Sequence, residues 1–373
     1  MAFHHLFDPA HAFVPYPDVP VPSASTGPLC DLRFAVKDLF DVTGYPTGGG
    51  SPIVLAMSGI KTRSAPTVQK LLDAGARFVG KTVTDELAFS MNGNNAHFGA
   101  PINGAAPDRI TGGSVRAPAN HCGLYGLRPT HGRVSLEGAM DLSPSLDTCG
   151  WFTRDVGTLE RVGRVLLGAD ATPLPAAPRL LWPEDIWAMV DAPARQALQS
   201  AIDRVQAVFG AAAPVTTVRD SWDAMYWNLR FVQSREAWLT DGPLIERYAP
   251  PLGPGVAERF AWSKSVTDDQ VNTARAFRAD FTAQLTDLLG HDGVLLMPTM
   301  PDIAPLRTSP DASLEDYRNR AIRMLCLAGH AGVPQLSMPL ATKDGAPLGL
   351  SLLGPKGSDA SLLAMAVKVA AAV

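Results

Sequence analysis

The sequence, 373 residues long, contains only four cysteines, and none of them forms a Cys-x-x-Cys pair. Cys30, Cys122, Cys149 and Cys326 stand singly along the chain. This scatter argues against a disulfide framework and against a zinc knuckle. We therefore expect a reducing, cytoplasmic location and no metal site.

Long apolar runs are also absent. A membrane-spanning helix needs about 18 or more uninterrupted apolar residues, and no stretch of the sequence reaches that length. The amino terminus, Met1-Ala-Phe-His-His, has no basic segment followed by an apolar one, which is the pattern of an export signal. We therefore expect a chain that is neither exported nor anchored in a membrane.

An excess of charge of one sign is absent as well. The 32 basic and 36 acidic residues are mixed along the chain, with a formal net charge of -4 and a pI near 6.1. Binding to nucleic acid or to a membrane surface usually relies on a basic stripe or patch, and neither is present. We therefore expect no nucleic-acid partner and no membrane partner.

Apolar residues, by contrast, are abundant: they make up 46% of the chain, against 18% charged residues, which is enough material for a large core. Residues 1–30 are rich in proline and small polar residues, and they predict an extended N-terminal arm. Residues 31–373 alternate between helical and strand patterns. They predict one α/β domain with a large mixed sheet flanked by helices on both faces.

Several elements of this pattern can be placed along the chain. The apolar run at 34–36 predicts a buried strand that ends at Lys37. Ser64-Ala-Pro66 predicts a helix start, and a strand should follow at 77–80. Thr267–Leu289 has the clearest helical stripe. We also expect helices at 155–168 and 362–372, strands at 293–298, 328–339 and 349–354, and irregular linkers at 170–178 and 182–194.

The turn Gly112-Gly113-Ser114 offers a nucleophile for amide hydrolysis. Glycines let the backbone approach a ligand closely, so the N–H groups of this turn could form an oxyanion hole. A Gly-Gly-Ser sequence alone is a weak signal, because most such sequences are flexible turns.

Lys37 offers a base for the same reaction. Burial at the end of an apolar strand would lower the pKa of the lysine, so that its neutral amine could accept a proton. The alternative is a structural lysine paired with Asp38 or Asp41 at the strand end.

An ordered set of motifs along nearly the whole chain resembles the amidase signature family. Among them are Val36-Lys37-Asp38-Leu-Phe-Asp-Val, Gly113-Ser114-Val-Arg116-Ala-Pro118, Cys122-Gly-Leu-Tyr-Gly126, Met297-Pro-Thr-Met-Pro301 and Gly332-Val-Pro-Gln-Leu-Ser-Met-Pro339. Residues 89–99 look similar to small members of the family that act on arylacetamides such as indole-3-acetamide.

The resemblance implies hydrolysis of a small, aryl or otherwise apolar, carboxamide to carboxylate and ammonia through a serine acyl-enzyme. It implies a Ser-Ser-Lys triad in which Lys37 is the terminal base and acid, a second serine is the relay, and Ser114 is the nucleophile. Thr111, Gly112 and Gly113 would bind the oxyanion, and Met91 would lie near the acyl group of the substrate. No cofactor is implied, and the protein could form a homodimer.

The chain departs from this family just before Ser114. Family members carry a stretch with the relay serine, then a helix and a strand, and then Asp-Thr-Gly-Gly-Ser with the nucleophile. Here a single segment, Thr111-Gly-Gly-Ser114, stands in place of both the relay-serine stretch and the nucleophile stretch. A segment of about two dozen residues between the two is therefore missing. This predicts a fold that lacks one core helix and strand, folds poorly and has low activity. The competing hypothesis is a catalytically inactive amide-binding protein.

Other combinations of residues could also carry chemistry. Ser114 with His121 or His131 and Asp147 would make a Ser-His-Asp triad. Cys122 beside His121 suggests a Cys-His pair, but adjacent residues on an extended chain point to opposite faces. The aromatic residues between 222 and 238 could line an aryl pocket, although core packing explains them better.

Overall fold

The structure, a computed structural model, describes residues 8–372. The first seven residues of the predicted N-terminal arm lie outside this range. The described residues divide into two compact units, and one of the boundaries between them falls within a long helix, after Gln233. Within residues 8–372, no helix combines the length and the apolar character that a membrane crossing requires.

The first unit comprises the described residues up to Ile102, together with Ser135–Asp147 and Ser234–Ser265. Its elements are β1 (Arg33–Lys37), α1 (Pro52–Ser58), α2 (Pro66–Asp73), β2 (Arg77–Thr82), a 3-10 turn at Glu86–Ala88, the part of α7 (Trp222–Tyr248) from Ser234 onward, and α8 (Val256–Ser265). The two strands β1 and β2 pair in parallel, with Lys37 opposite Thr82. Lys37 is therefore the last residue of its strand, as the sequence predicts.

Two apolar clusters form the interior of this unit. One packs β1 against α2 and contains Val36, Val42, Tyr45, Val68 and Leu72. The other packs α7 and α8 around the 3-10 turn and contains Leu87, Phe89, Leu142, Ala237 and Phe260. The α2 helix begins at Pro66, where a missing backbone N–H costs nothing, and it buries Val68 and Leu72 at helical spacing.

The second unit comprises Asn103–Val134, Thr148–Gln233 and the described residues from Val266 onward. Its helices are α3 (Arg116–Cys122), α4 (Val156–Leu166), α5 (Glu184–Trp187), α6 (Ala192–Phe209), the first part of α7, α9 (Asp268–Leu289), α10 (Asp311–Ala331) and α11 (Asp359–Ala371). Its strands are β3 (Tyr125–Arg128), β4 (Trp151–Thr153), β5 (Arg179–Pro183), β6 (Ala213–Val215), β7 (Gly293–Pro298), β8 (Gln335–Lys343) and β9 (Ala346–Leu353).

These strands form one seven-stranded mixed sheet in the order β4-β3-β8-β9-β7-β5-β6. The pairs β7–β5 and β5–β6 are parallel, and the others are antiparallel. Every residue of β7 and of β9 is buried, which is the pattern of strands covered on both faces. Helices α3 and α6 both pack against β8 and β9. The predicted α/β class, with a large mixed sheet flanked by helices, is confirmed.

Two tryptophans pack together where β5 passes into α5. The indole rings of Trp182 and Trp187 stack with centroids 4.3 Å apart and planes 5° apart. Trp187 donates its indole N–H to the backbone oxygen of Leu296 on β7, at 3.0 Å. The guanidinium of Arg195 lies 5.4 Å from the centroid of the Trp182 ring.

Two local predictions are wrong. Residues 182–194 are not a linker, because they contain the end of β5, all of α5 and the start of α6. Ala328–Ala331 are not strand, because α10 continues to Ala331 and ends at Gly332, whose φ of 63° is left-handed. The predicted helices at 155–168, 267–289 and 362–372 and the strand at 293–298 are confirmed within one to three residues at each end.

Candidate functional site

Lys37 ends β1 directly after the buried Val36 and is itself half-buried. Burial lowers the pKa of its ammonium group, and the negative charges of Asp85 and Asp147 oppose that lowering. A lowered pKa increases the fraction of neutral amine near neutral pH, and only the neutral amine can accept a proton. A base requires this direction of shift, and the role of Lys37 as a base stays a prediction.

The two carboxylates near Lys37 are fixed by backbone donors. Asp85 Oδ1 accepts hydrogen bonds from the backbone N–H groups of Gly93 and Asn94, at 3.1 and 3.2 Å. Asp147 Oδ2 accepts from the N–H groups of Leu142 and Ser143, both at 2.8 Å. Carboxylates held in this way stay at a fixed distance from the lysine, so the electrostatic environment of Lys37 is preorganised.

The nearby Asp38 forms a buried ion pair with Lys81 on β2. Lys81 Nζ lies 2.8 Å from Asp38 Oδ1, and both side chains are almost fully excluded from solvent. Lys81 also donates to the Pro46 carbonyl oxygen at 2.7 Å and to the Thr47 hydroxyl at 2.9 Å. The Tyr16 hydroxyl donates to Asp38 Oδ2 at 2.8 Å.

This pair bears on the structural alternative for Lys37, which stays open. Asp38 is bound to Lys81, and Asp41 lies 3.5 Å from Lys61, so each of the two proposed partners of Lys37 has another lysine. Sequence reasoning missed the Asp38–Lys81 pair. The available signal was Lys81 directly after the segment Phe78-Val79-Gly80 of a predicted strand, since a lysine buried there needs a partner.

Met91 lies in a loop of the first unit that side-chain amides and carboxylates hold in place. The Asn95 side chain donates to the carbonyl oxygens of Gly50 and Thr84, both at 2.8 Å. Its oxygen accepts from the backbone N–H groups of His97 and Phe98. The amides of this loop therefore bind the backbone, and the contact of Met91 with an acyl group stays a prediction.

In the second unit, Ser114 lies in the turn that leads into α3 and is exposed. Gly112 has a φ of +83°, in the left-handed region that favours glycine. A Cβ at this position would lie 2.9 Å from His121 Nδ1 and 3.1 Å from the backbone nitrogen of Pro118. The turn that carries Ser114 thus requires glycine at 112 for two independent reasons.

The side chain of Asn103 fixes this turn through hydrogen bonds. Its side-chain amide donates to the backbone oxygen of Ile110 at 3.2 Å and to that of His121 at 2.8 Å, and the residue is fully buried. The Cys122 thiol contacts the backbone oxygen of Thr111 at 3.8 Å. Asn103 was not predicted as a site residue, and Asn103-Gly104 shows only a turn signal in the sequence.

Arg116 binds α3, the helix that follows Ser114, to neighbouring elements. Its guanidinium is buried and donates to the Leu325 carbonyl oxygen at 2.9 Å and to the side-chain oxygen of Gln335. Burial and the charge of Arg128 lower the pKa of Arg116. These bonds tie α3 to α10 and β8, which fixes the helix that positions Ser114.

The alternative Ser-His-Asp triad is not formed by His121. Burial lowers the pKa of His121 to about 4, and its Nε2 lies 2.8 Å from the Tyr317 hydroxyl instead of a carboxylate. His131 donates its backbone N–H to the Gly332 carbonyl oxygen at 3.0 Å, as expected for a loop residue.

The aromatic residues between 222 and 238 lie along α7. Tyr226 is buried and Trp227 is 47% exposed, while Trp238 packs against the cluster around Phe89. Trp227 stacks on Phe231, with ring centroids 6.0 Å apart. The part played by these side chains in an aryl pocket stays a prediction.

The predicted site residues thus fall into two groups. Lys37 and Met91 belong to the first unit, and Thr111, Gly112, Gly113 and Ser114 belong to the second. From Phe89 to Val115 the chain contains turns and isolated bridges but neither helix nor strand. The roles of the six predicted site residues in catalysis and in oxyanion binding stay predictions. Within the described residues, no group of three or more His, Cys, Asp or Glu side chains could hold a metal ion.

The sequence model of the family described as Amidase matches residues 17–114, 111–186 and 247–363. The first two matched ranges overlap at 111–114, so the single Thr-Gly-Gly-Ser segment is aligned by both. This is the place where the sequence predicts a missing segment.

Two proteins of Arabidopsis thaliana are similar along most of the chain. Amidase 1 is 34% identical over 415 aligned positions, covering 96% of this chain and 98% of that protein. The alignment is longer than this chain, so the relative has residues to which nothing corresponds here. Outer envelope protein 64, chloroplastic, is 30% identical and covers 93% of this chain and 67% of that protein.

A solved structure described as a crystal structure of amidase has the same fold. It superposes with a TM-score of 0.82 at 27% sequence identity, covering 92% of this chain and 85% of that chain. The predicted amidase class is therefore confirmed at the level of the family. In sequence motifs, in similarity over most of its length and in fold, this chain belongs to the amidase family.

Proposed function

We propose that this protein hydrolyses a small, aryl or otherwise apolar, carboxamide to a carboxylate and ammonia through an acyl-enzyme on Ser114. The observation that carries the proposal is the environment of Lys37, a lysine whose pKa is lowered by burial beside two fixed carboxylates. Perturbed lysines of this kind are typical of general bases. The 34% identity to a protein named Amidase 1 supports the same reaction class.

In the proposed reaction, Ser114 Oγ attacks the amide carbon while its proton passes to the neutral amine of Lys37, directly or through water. The developing oxyanion accepts hydrogen bonds from N–H groups of the turn at Thr111, Gly112 and Gly113. The Lys37 ammonium then protonates the departing nitrogen, and ammonia leaves. Water opens the resulting ester, and Ser114 regains its proton as the carboxylate is released.

The aromatic residues near Met91 support an apolar substrate. The loop that carries Met91 follows Phe89, which is buried and packs edge-to-face on Phe260 with ring centroids 5.0 Å apart. A thioether two residues along the chain from this aromatic pair suits an aryl or alkyl acyl group better than a charged one. The similarity of residues 89–99 to arylacetamide amidases supports the aryl form.

A second candidate function is amide binding without turnover. It is favoured by the overlap of the two family matches at 111–114, which leaves no separate segment for a relay serine. Family membership alone does not decide between the two candidates, because a 30% identical relative is named for the chloroplast outer envelope and not for an activity.

The deciding experiment measures ammonia release from a panel of arylacetamides by protein whose intact mass has been checked against 39.6 kDa. The test variants are Ser114→Ala and Lys37→Ala. Their matched controls are Ser200→Ala, an exposed serine on α6, and Lys61→Ala, the partly exposed lysine paired with Asp41. We expect release that both test variants abolish and both controls keep.

Two outcomes would count against the proposed reaction. Release that survives Ser114→Ala would exclude Ser114 as the nucleophile. Saturable binding of an arylacetamide to a folded, mass-verified sample that releases no ammonia would favour the second candidate.

We further propose that the protein works in the cytoplasm without a metal or an organic cofactor, as a single domain over residues 31–373, and that it forms a homodimer. Size-exclusion chromatography with light scattering would test the dimer. Limited proteolysis would test the single domain, since a separately stable fragment would contradict it.

A further inference from the structure

The imidazole of His121 fills the space beside the glycine turn that carries Ser114. His121 is buried on α3, and its Nδ1 lies 2.9 Å from the position that a Cβ on Gly112 would occupy. This Nδ1 is buried, and the Thr111 backbone lies near the ring. The ring therefore packs against the turn from the side that the missing side chain of Gly112 leaves open.

Tyr317 on α10 holds the other edge of the ring. The Tyr317 hydroxyl lies 2.8 Å from His121 Nε2 and donates to the Asp302 carbonyl oxygen at 3.0 Å. Lys343, paired with the Asp302 carboxylate at 3.1 Å, fixes the far end of this chain of contacts.

His121 stays neutral in this position. Burial lowers its pKa to about 4, and the nearby Thr111 backbone only partly opposes that effect. A neutral ring has no charge to give to the reaction. What it supplies to the turn is shape, because it limits the backbone rotation that glycine otherwise permits at position 112.

We infer that His121, held by Tyr317, is a positioning residue that fixes the backbone of Thr111–Ser114 in the conformation needed to bind an oxyanion. The inference rests on the proposed function and deepens it. Oxyanion donors are effective only when they are preorganised, since reorienting them during the reaction would cost the energy they return. The Asn103 amide holds the same turn at Ile110, so the ring and the amide restrain it from two sides.

The test compares two tyrosine-to-phenylalanine variants. Tyr317→Phe removes the hydroxyl that holds His121. Tyr45→Phe removes a buried hydroxyl of the first unit, which donates to the Val19 carbonyl oxygen at 3.0 Å and has no part in the proposed site. Both changes delete one hydrogen-bonded, buried hydroxyl, so a general loss of stability should appear in both.

We expect Tyr317→Phe to lower kcat about tenfold with KM changed less than twofold, because oxyanion contacts form mainly in the transition state. Tyr45→Phe should leave both constants within twofold of the wild type. His121→Gln, whose amide can still form a hydrogen bond with Tyr317 but which lacks the ring, should lower kcat in the same way. Equal losses in Tyr317→Phe and Tyr45→Phe would refute the positioning role.

Hydrogen exchange of the peptide that covers residues 110–122 gives a second readout that needs no turnover. We expect faster exchange there in Tyr317→Phe than in Tyr45→Phe. A wild type without turnover overturns the proposed function, and the exchange comparison then decides the positioning role alone. An active wild type with unchanged kcat and unchanged exchange in Tyr317→Phe overturns the positioning role and leaves the proposed function standing.

Discussion

Replacing Lys81 by methionine should destabilise the protein severely, although Lys81 has no assigned catalytic role. The substitution removes the ammonium group that faces Asp38 Oδ1 at 2.8 Å and keeps most of the side-chain volume. The Asp38 carboxylate then stays buried with only the Tyr16 hydroxyl and the Gly48 N–H as donors. Removing one partner of a buried pair leaves the other charge uncompensated, and this costs about 3–5 kcal/mol.

That loss is large, because the free energy of unfolding of a protein of ordinary stability is about 5–15 kcal/mol. The neighbouring pair of Lys61 and Asp41 gives the control, because its atoms are 3.5 Å apart and each side chain is 28% exposed. Breaking a partly exposed pair costs about 0–1 kcal/mol. Lys81→Met should therefore destabilise the protein several times more than Lys61→Met.

The assay is urea unfolding followed by circular dichroism, with the midpoint compared among the wild type, Lys81→Met and Lys61→Met. The double variant with Lys81→Met and Asp38→Leu should recover part of the loss, because it removes the uncompensated carboxylate together with its partner. Equal midpoints for the two single variants would refute the reasoning. So would a double variant that is less stable than Lys81→Met.

Three further predictions concern a buried acid, the candidate base and the glycine turn. Asp241→Asn should stabilise the protein at pH 8 by about 2–4 kcal/mol. Burial raises the Asp241 pKa to about 7, above its unfolded value, so wild-type stability should fall as the pH rises from about 4 to 7; an equal slope in the variant's urea midpoints would contradict this. Amide hydrolysis should increase with pH through the pKa of Lys37, below 10.5, and Asp85→Asn should move that midpoint lower because Asp85 raises this pKa; a midpoint that rises would count against Lys37 as the base. Gly112→Ala should slow fluorophosphonate labelling of Ser114 at least tenfold, whereas Gly132→Ala, with a similar φ of +77° but open space around its Cβ position, should change it less than twofold; equal effects would show that backbone strain and not the clash is responsible.

The strand that ends at Lys37 and the turn before α3 could be predicted because their signals are local. A short apolar run followed by a lysine, and two glycines before a helix, are visible in consecutive residues. The long helix α9 was equally clear, since Thr267 and Gln270 form a capping box ahead of the apolar stripe.

The partners of these residues could not be predicted, because they come from distant parts of the chain. Asp38 meets Lys81 only through the parallel register of β1 and β2, and His121 meets Tyr317 across 196 residues. The α5 segment was missed for another reason. Its four residues follow Pro183, which breaks the pattern, and the helix is too short to show a period.

The stacked indoles of Trp182 and Trp187 give the second unit an optical signature of its own. Two parallel chromophores 4.3 Å apart should couple their electronic transitions and produce a paired band in the circular dichroism spectrum. The band would vanish once β5 and α5 separate, because the coupling falls steeply with distance. Unfolding of the seven-stranded sheet could thus be followed separately from loss of the lysine-bearing unit, within one sample and without any added label.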